Sequence, residues 1–333
     1  MSYADNIEGL SKTTRNRILA ASSITIERVP TASLGLNKVL GGGFGKGRQS
    51  VVFGNKSASK SSTMLQTIAE AQKRGEKCAW IDAENSYDPE WAASLGVDND
   101  SLIVAPTKSV DDMTAVVCDL MKVKFGLVVV DSVSALLPST YFEKDKDSEL
   151  KEGLEGTKQI GTISKELGIA VNKFNYANSE TALVLISQVR NQFSTWGAAL
   201  KPMGGQAMMF FSSTVVKLWS SASEREQIQG EFVIGDKIVK QPIGRPVTYT
   251  VEYNKIGAPN QTGTYDFYYS GDSVGIDKVG ELVDLAEVAG VISKGGAWYK
   301  YGEEKFQGRP KVVAWLKENP VIREEIEQKV LNV

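Results

Sequence analysis

The chain has 333 residues, of which 42% are hydrophobic and 23% are charged, and its formal net charge is −2. This composition can fill one large core and a second, smaller one, and it restricts any nucleic-acid surface to a local patch. Histidine is absent, which excludes histidine catalysis and histidine metal sites and leaves acid–base chemistry to carboxylates.

The cysteines and the apolar runs of the sequence indicate the cellular compartment of the protein. Cys78 and Cys118 each lie in an apolar run, which favours buried free thiols in a reducing cytosol over a disulfide. The first residues, "MSYADNIEGLSK", contain no signal-peptide core, and no apolar run approaches the about 18 residues needed to span a bilayer. We therefore expect a cytoplasmic protein without a membrane partner.

The predicted elements begin in a polar leader, residues 1–30, with a helix expected over about 13–21. "RQSVVFG" then predicts a strand that ends at Gly54, and the apolar spacing after it predicts a helix over 60–74. "KCAWID" and "SLIVA" predict two further strands. A helix in "DPEWAASLG" begins behind Asp88 as N-cap.

The next segments complete an α/β pattern. A helix is expected in "SVDDMTAVVCDLMKVK", behind Ser109 as cap. "LVVVD" (127–131) and "ALVLIS" (182–187) are short and apolar throughout, which is typical of central parallel strands. Strands that alternate with helices predict a mostly parallel central sheet with helices on both faces.

The pattern changes after about residue 213. "STVVKLW" and "RPVTYTVEYN" predict strands joined by a polar hairpin over 220–245 rather than by a helix. From about residue 278 the sequence predicts a small α+β domain. We divide the chain into the leader 1–30, an α/β core 31–270 and a small C-terminal domain 271–333.

The stretch "VVFGNKSASKSST" has the layout of a phosphate-binding loop. Gly54 follows a strand, and Lys60 and Ser61 open a helix at the spacing needed for a phosphate-binding lysine and an Mg²⁺-binding hydroxyl. Ser59 replaces the usual second glycine, and a serine can occupy that turn at modest cost if its φ stays negative. The alternative is a Ser/Lys-rich surface turn. The residues predicted to surround the phosphates are Gly54, Asn55, Lys56, Ser57, Ala58, Ser59, Lys60, Ser61 and Ser62.

Polar side chains also follow three other predicted strands. Asp131 ends one strand and can hold the Mg²⁺ shell, while Asp82 and Glu84 lie at the end of another. Glu84 is the better candidate to orient an attacking water, because it lies just beyond its strand. Gln188 could sense the γ-phosphate from a fourth strand end. Ligands bind outside the carboxyl ends of parallel strands, so this set indicates a nucleoside triphosphatase.

With these motifs, the chain resembles the RecA recombinases, including their phage relatives. The resemblance runs from about residue 32 to the end and rests on "TASLGLNKVLGGGFGKGRQSVVFG", "VVVDSVSALLP", "SQVRNQF", "MGGQAM", "NKIGAPNQTG" and "GGAWYKYGEEKFQGRPKVVAWLKENP". The last run is the most specific. The serine in the phosphate loop is similar to the phage branch. The resemblance implies a RecA-type P-loop ATPase core and a small α+β C-terminal domain.

The resemblance also implies roles for individual residues. Lys60 and Ser61 would bind ATP and Mg²⁺, and Asp131 would complete the metal shell. Glu84 would activate water, and Gln188 would couple the γ-phosphate to DNA. Trp91 and Asp88 would contact the adenine, although a helix-face core position is the alternative for Trp91. In bacterial members, two lysines reach across to a neighbour's ATP. Here Lys255 keeps one of these positions and Tyr253 occupies the other, so Lys255 would be the remaining catalytic cation.

Two mobile DNA-binding loops are implied, over about 139–154 and 189–204. The first, in "STYFEKDKDSELKEG", is acidic as well as basic, which limits what it can add to DNA affinity. The second mixes cations with aromatic side chains, as suits single-stranded DNA, although an ordinary exposed loop is the alternative. The DNA-binding candidates are Arg190, Phe193, Trp196, Lys201, Gly204 and Gly205.

We therefore expect an ATP-dependent, DNA-dependent ATPase of homologous recombination. It would form helical filaments on single-stranded DNA and pair it with homologous duplex DNA, and the leader 1–30 would dock neighbouring subunits. One alternative is a RecA-fold ring helicase or repair motor, and another is a nucleotide-switched scaffold that does not act on DNA.

Overall fold

The computed structural model describes residues 7, 9–138, 160–194, 197–202, 205–221, 223–271 and 274–332. Most of these residues belong to a large α/β unit, and the last 55 or so form a small domain beside it. The strands are β1 (Arg28–Val29), β2 (Phe44–Gly45), β3 (Arg48–Gly54), β4 (Cys78–Asp82), β5 (Leu102–Pro106), β6 (Leu127–Asp131), β7 (Ala182–Ser194), β8 (Gly197–Pro202), β9 (Thr214–Trp219), β10 (Ile228–Ile234), β11 (Lys237–Asn254), β12 (Gln261–Tyr268), β13 (Gly275–Ile276), β14 (Ser293–Gly295), β15 (Trp298–Tyr301) and β16 (Glu304–Gln307).

The helices alternate with the strands through the first two thirds of the chain and dominate its end. They are α1 (Lys12–Arg15), α2 (Leu34–Leu40), α3 (Lys60–Lys73), α4 (Pro89–Ser94), α5 (Val110–Lys122), α6 (Ile160–Ala177), α7 (Gly205–Phe211), α8 (Lys278–Val288), α9 (Arg309–Glu318) and α10 (Pro320–Leu331). Short 3₁₀ turns occur at Ala21–Ser23, Val133–Ala135 and Glu224–Glu226.

The large sheet has the order β13-β12-β11-β9-β3-β7-β6-β4-β5. The strands from β9 to β5 pair in parallel, whereas β11, β12 and β13 add to the β9 side as an antiparallel extension. The predicted mostly parallel α/β architecture is therefore confirmed. The parallel pairing brings the carboxyl ends of β3, β4, β6 and β7 to one edge of the sheet.

Side chains that alternate along the central strands fill two separate cores. On β3, Val52 faces a core shared with Met64 and Ile68 of α3. Its neighbour Val51 faces the opposite core, which includes Val117 of α5. Because both faces are covered, the central strands are buried throughout, and a one-residue slip in register would exchange the two cores.

The C-terminal domain packs helices α8, α9 and α10 with the small sheet β14–β15–β16 around its own core. Glu281 of α8 joins this domain to the large unit. Its buried carboxylate accepts from Ser33 Oγ at 2.5 Å, Leu34 N at 2.9 Å and Gly35 N at 3.2 Å, at the start of α2. This contact satisfies helix N–H groups that have no partner within the helix.

Several helix predictions need correction. The leader helix expected over 13–21 is limited to α1 and a separate 3₁₀ turn at Ala21–Ser23, because α1 buries no residue that could stabilise a longer helix. Helices α2, α6 and α7 were not predicted from the pattern. The sequence does contain a helical pattern for α6, because the apolar residues Leu167, Val171 and Phe174 recur at helical spacing. All three are buried in the structure.

The hairpin formed by β7 and β8 also differs from expectation. The resemblance implied a mobile loop over 189–204. In the structure β7 continues to Ser194 and forms an antiparallel pair with β8, in a register that runs from Val189 opposite Pro202 to Ser194 opposite Gly197. Pairing of this kind uses backbone hydrogen bonds and needs no apolar period in the side chains. The first expected DNA loop, 139–154, lies outside the described residues.

The limits of the domains remain a proposal. Strand β13 still pairs with β12 of the large sheet, five residues beyond the boundary expected at 270, and α8 begins at Lys278. We therefore propose a boundary at about residue 277. Within the described residues, no helix is long and apolar enough to cross a bilayer.

Glu281 gives a pH-dependent prediction for stability. Burial raises its pKa from 4.5 to about 7, although its three hydrogen-bond donors oppose the shift. The folded protein therefore binds this proton more tightly than the unfolded chain does. Relative to Glu281→Gln, the wild-type free energy of unfolding should fall as pH rises from 4.5 to 7, by up to about 3 kcal/mol.

Urea unfolding of both proteins at several pH values measures this difference. Glu303→Gln, in the exposed turn between β15 and β16, is the matched control and should follow the wild type. A wild-type curve parallel to that of Glu281→Gln over this pH range would contradict the prediction.

Candidate nucleotide site

The predicted phosphate loop lies between β3 and α3 at the carboxyl edge of the sheet. Gly54 ends β3, and a side chain there would collide with the carbonyl oxygen of Leu218 on the neighbouring strand β9. Glycine is therefore required by the close approach of two backbones. Helix α3 begins at Lys60, so its free N–H groups face the loop.

The condition that Ser59 keeps a negative φ is not met. Ser59 has φ 53° and Ser57 has φ 65°, and both angles lie in the left-handed region that glycine occupies at no cost. A non-glycine residue there costs about 1–2 kcal/mol. The loop therefore adopts a conformation suited to glycine with serines at these positions, and the surrounding contacts must offset the strain.

Two donors of the loop converge on one atom. Lys60 Nζ donates to Asn55 O at 2.9 Å and to Gly54 O at 3.2 Å, and Ala58 N donates to Asn55 O at 3.3 Å. Burial lowers the pKa of Lys60, while Asp131 and Glu84 oppose this change. The Lys60 ammonium group and the Ala58 N–H would also attract an anion bound in the loop.

The outer side of the loop is held by residues that the sequence did not point to. Asn55 Nδ2 donates to Ser220 O at 2.6 Å, and Ser220 N donates to Asn55 Oδ1 at 3.2 Å. Arg245 Nη1 donates to Ser57 O at 2.8 Å. These contacts tie the loop to β9 and β11. By contrast, the Lys56 side chain is exposed.

Ser61 and Asp131 form the part of the site suited to a divalent cation. The Ser61 side chain interacts with the Asp131 carboxylate, which is buried at the end of β6. The pKa of Asp131 is raised to about 6, chiefly by burial and also by the nearby Glu84 carboxylate, while Ser61 and Lys60 lower it. A carboxylate and a hydroxyl beside a phosphate loop fit Mg²⁺, which takes hard oxygen ligands.

The Glu84 carboxylate lies between two other strand ends. Its Oε1 accepts from Ser132 Oγ at 2.5 Å and from Gln188 Nε2 at 3.1 Å. Asp82 differs, because its buried carboxylate accepts from Ser86 N and Tyr87 N and so shapes the loop after β4. Of the two carboxylates at the end of β4, Asp82 is buried and Glu84 is exposed.

Helix α4 lies against the start of α3. Trp91 Nε1 donates to Ser62 Oγ at 3.2 Å, and its half-buried ring packs against the core on that face. Asp88 Oδ1 caps α4 by accepting from Glu90 N at 2.9 Å and Trp91 N at 3.1 Å. Trp91 thus contacts the first turn of α3, and Asp88 caps the helix that carries Trp91. Contact of either residue with adenine remains a proposal.

Lys255 lies at the opposite edge of the sheet from the loop. Its N donates to Ser213 O, and Ser213 N donates to Gln49 O. Gln49 precedes Gly54 by five residues, which is roughly 16 Å along a strand. Lys255 Nζ donates to Phe210 O at 2.6 Å and lies 5.6 Å from the centre of the Tyr253 ring. Lys255 therefore cannot act on the loop of its own chain.

The DNA-binding candidates are only partly described. The backbones of Arg190, Phe193 and Lys201 lie in the β7–β8 hairpin, and Gly205 begins α7. Trp196 and Gly204 lie outside the described residues. The Gln188 backbone N–H, at the base of the hairpin, donates to Ser134 Oγ at 2.9 Å.

A strand–loop–helix phosphate cradle, with Lys60 at its centre and a Ser61–Asp131 pair beside it, defines a P-loop nucleoside triphosphatase. Comparisons with known proteins narrow this class. A family model for the RecA N-terminal domain matches residues 9–277, and one for the RecA C-terminal domain matches residues 280–333. The chain therefore belongs to the RecA family, whose members are DNA-dependent ATPases of homologous recombination.

Individual relatives agree over nearly the whole chain. Protein RecA of Cereibacter sphaeroides is 34% identical over 311 residues, which cover 92% of this chain and 84% of that protein. Protein RecA of Aquifex pyrophilus is 34% identical over 320 residues, which cover 94% of this chain and 85% of that protein. Protein RecA of a Picosynechococcus species is 31% identical over 319 residues, with coverage of 94% and 85%.

The strain at Ser59 can be measured directly. Ser59→Gly removes the positive-φ penalty, whereas Ser59→Ala keeps it and removes only the hydroxyl. We expect Ser59→Gly to be more stable than Ser59→Ala by about 1 kcal/mol in urea unfolding. Equal stabilities, or a less stable glycine variant, would mean that the positive φ costs little at this position.

Proposed function

We propose that this chain is an ATP-dependent strand-exchange protein that assembles into helical filaments on single-stranded DNA. The observation that carries the proposal is the hydrogen bond from Gln188 Nε2 to Glu84 Oε1. It joins the carboxylate suited to orient an attacking water to β7, the strand that continues into the β7–β8 hairpin. A change at the hairpin could thus reach the hydrolytic carboxylate through one side chain.

The residues of the site would divide the work of hydrolysis. Lys60 and the loop N–H groups would hold the phosphates, and Ser61 with Asp131 would hold Mg²⁺. When bound, Mg²⁺ neutralises charge on the phosphate oxygens. Glu84 would orient the water in line with the γ-phosphate, a task of positioning more than of proton transfer. Trp91 and Asp88 would border the base.

The position of Lys255 supports an interface between protomers. A cation that cannot reach the loop of its own chain could reach the loop of a neighbour, where it would stabilise negative charge during hydrolysis. ATP would then lie between two copies, and its presence would control how they pack. The hairpin residues Arg190, Phe193, Trp196 and Lys201 would bind single-stranded DNA by phosphate contact and stacking, and homologous duplex DNA would pair within the filament.

Electron microscopy with single-stranded DNA and a non-hydrolysable ATP analogue tests the assembly. Helical filaments are the expected result. Closed hexameric rings would favour a helicase or repair motor, and the absence of any DNA-dependent assembly would favour a nucleotide-switched scaffold. Pairing of the bound strand with homologous duplex DNA then tests strand exchange.

The role of Glu84 predicts a separation of binding from hydrolysis. Glu84→Gln keeps the hydrogen bonds that shape the site but removes the charge that orients water. We expect ATP and DNA binding near wild type, with hydrolysis reduced about 10²–10³-fold. Glu180→Gln, an exposed carboxylate paired with Lys124, is the control and should hydrolyse ATP normally. Wild-type hydrolysis by Glu84→Gln would assign water positioning to another group.

Lys255 predicts complementation between two inactive variants. Lys255→Ala and Glu84→Gln should each be almost inactive, but in a mixed filament some interfaces combine Glu84 of one copy with Lys255 of the other. Random mixing at equal amounts should restore about a quarter of the wild-type ATPase activity. Steady-state hydrolysis of the mixture measures this. No recovery in filaments shown to contain both variants would contradict a shared site.

A further inference from the structure

The hairpin of β10 and β11 leaves the large sheet close to the phosphate loop. Its outer part, residues 228–243, extends beyond the sheet, because β12 pairs with β11 only from Gly244 onward. We call residues 228–243 the ribbon. Ser220 and Arg245 flank it at its base. Ser220 Oγ donates to Pro246 O at 2.9 Å, which closes the base.

Arg245 is held in place from two sides. Its guanidinium lies 5.4 Å from the centre of the Tyr269 ring. That ring is itself fixed, because Tyr269 Oη donates to Gly244 O at 3.2 Å and Tyr269 N donates to Ile243 O at 2.9 Å. From this position, Arg245 Nη1 reaches the Ser57 carbonyl oxygen at 2.8 Å.

Among the described residues, no carboxylate forms an ion pair with Arg245. Arg309, by comparison, pairs with both oxygens of Asp284 at 2.7 Å. Over the ranges that the structure describes, Arg245 has no ion-pair partner of this kind, and its described partners are the Ser57 carbonyl and the Tyr269 ring. Arg245 therefore brings a cation to the loop where phosphates would bind, through its contact with the Ser57 carbonyl.

The contact with Ser57 controls the direction of a loop N–H. In a trans peptide, the C=O of one residue and the N–H of the next point in opposite directions. Arg245 binds the Ser57 carbonyl from outside the loop, while Ala58 N points to Asn55 O, the atom that also accepts from Lys60 Nζ. The bond from Arg245 thus keeps the Ala58 N–H turned toward the lysine at the centre of the loop.

The same bond acts on a strained residue. Ser57 has φ 65°, a conformation that a serine leaves readily unless other contacts hold it. We propose that Arg245 is a positioning residue for the phosphate loop, which holds the strained Ser57–Ala58 peptide in the orientation that binds the phosphates of ATP. The inference rests on the proposed function, because it requires ATP to bind in this loop.

Calorimetric titration with a non-hydrolysable ATP analogue, without DNA, tests the inference. Arg245→Ala should weaken the affinity about tenfold, as expected for loss of a charge-assisted hydrogen bond. Arg245→Lys keeps a charged donor but not the planar stacking, so it should recover part of the loss. In DNA-stimulated hydrolysis, the KM for ATP should rise while kcat changes less than about twofold.

Two controls separate the possible failures. Lys240→Ala removes another cation of β11, which pairs with Glu231 at the surface of the ribbon, and should leave ATP affinity unchanged. Lys60→Ala should abolish binding. If the wild type itself does not bind the analogue, the proposed function fails.

If the wild type binds and Arg245→Ala binds equally well, the inference is wrong, even if the variant has a lower Tm. An equal loss of affinity in Lys240→Ala would also overturn it, because the effect would then be that of general surface charge. An increase in KM confined to the Arg245 variants, with partial recovery in Arg245→Lys, would support it.

Discussion

The parallel register of β3, β7, β6 and β4 is the constraint on which the site depends. Gly54 of β3 lies beside Gln188 of β7, and Asp82 of β4 lies beside Asp131 of β6. The polar groups at the ends of these strands therefore meet at one edge of the sheet. The register is determined by burial on both faces, since a shift of one residue would move apolar side chains from one core to the other. The cores that stabilise the protein therefore also determine the distances within the site.

Burial has a second consequence at this edge, because it brings opposite charges together with little water. It raises the pKa of Asp131 and lowers that of Lys60, and each of the two charges opposes the shift of the other. The strained serines of the loop add to the cost of the site. The large cores on both faces of the sheet stabilise the protein enough to offset these unfavourable free energies. The buried charges and the strained loop thereby remain arranged to bind a charged ligand.

The two edges of the sheet have different roles in the proposed assembly. The carboxyl edge carries the loop, Glu84 and Gln188, whereas Lys255 lies at the amino edge with the exposed Phe210 nearby. A strand is long enough to keep these two sets apart within one chain. A site that needs both sets can be completed only by a second copy, which links hydrolysis to self-association.

The sequence by itself determined the class of fold and most of the residues at the carboxyl edge. Strand ends, helix caps and the loop spacing are local signals, so Gly54, Lys60 and Asp131 could be assigned from short stretches of sequence. The left-handed φ of Ser59, the hairpin of β7 and β8, and the placement of Lys255 depended on the tertiary structure. So did the contact from Arg245 to Ser57, which joins residues 188 positions apart. The contact of Arg245 and the placement of Lys255 arise from how distant strands pack, and no local periodicity or propensity carries that information.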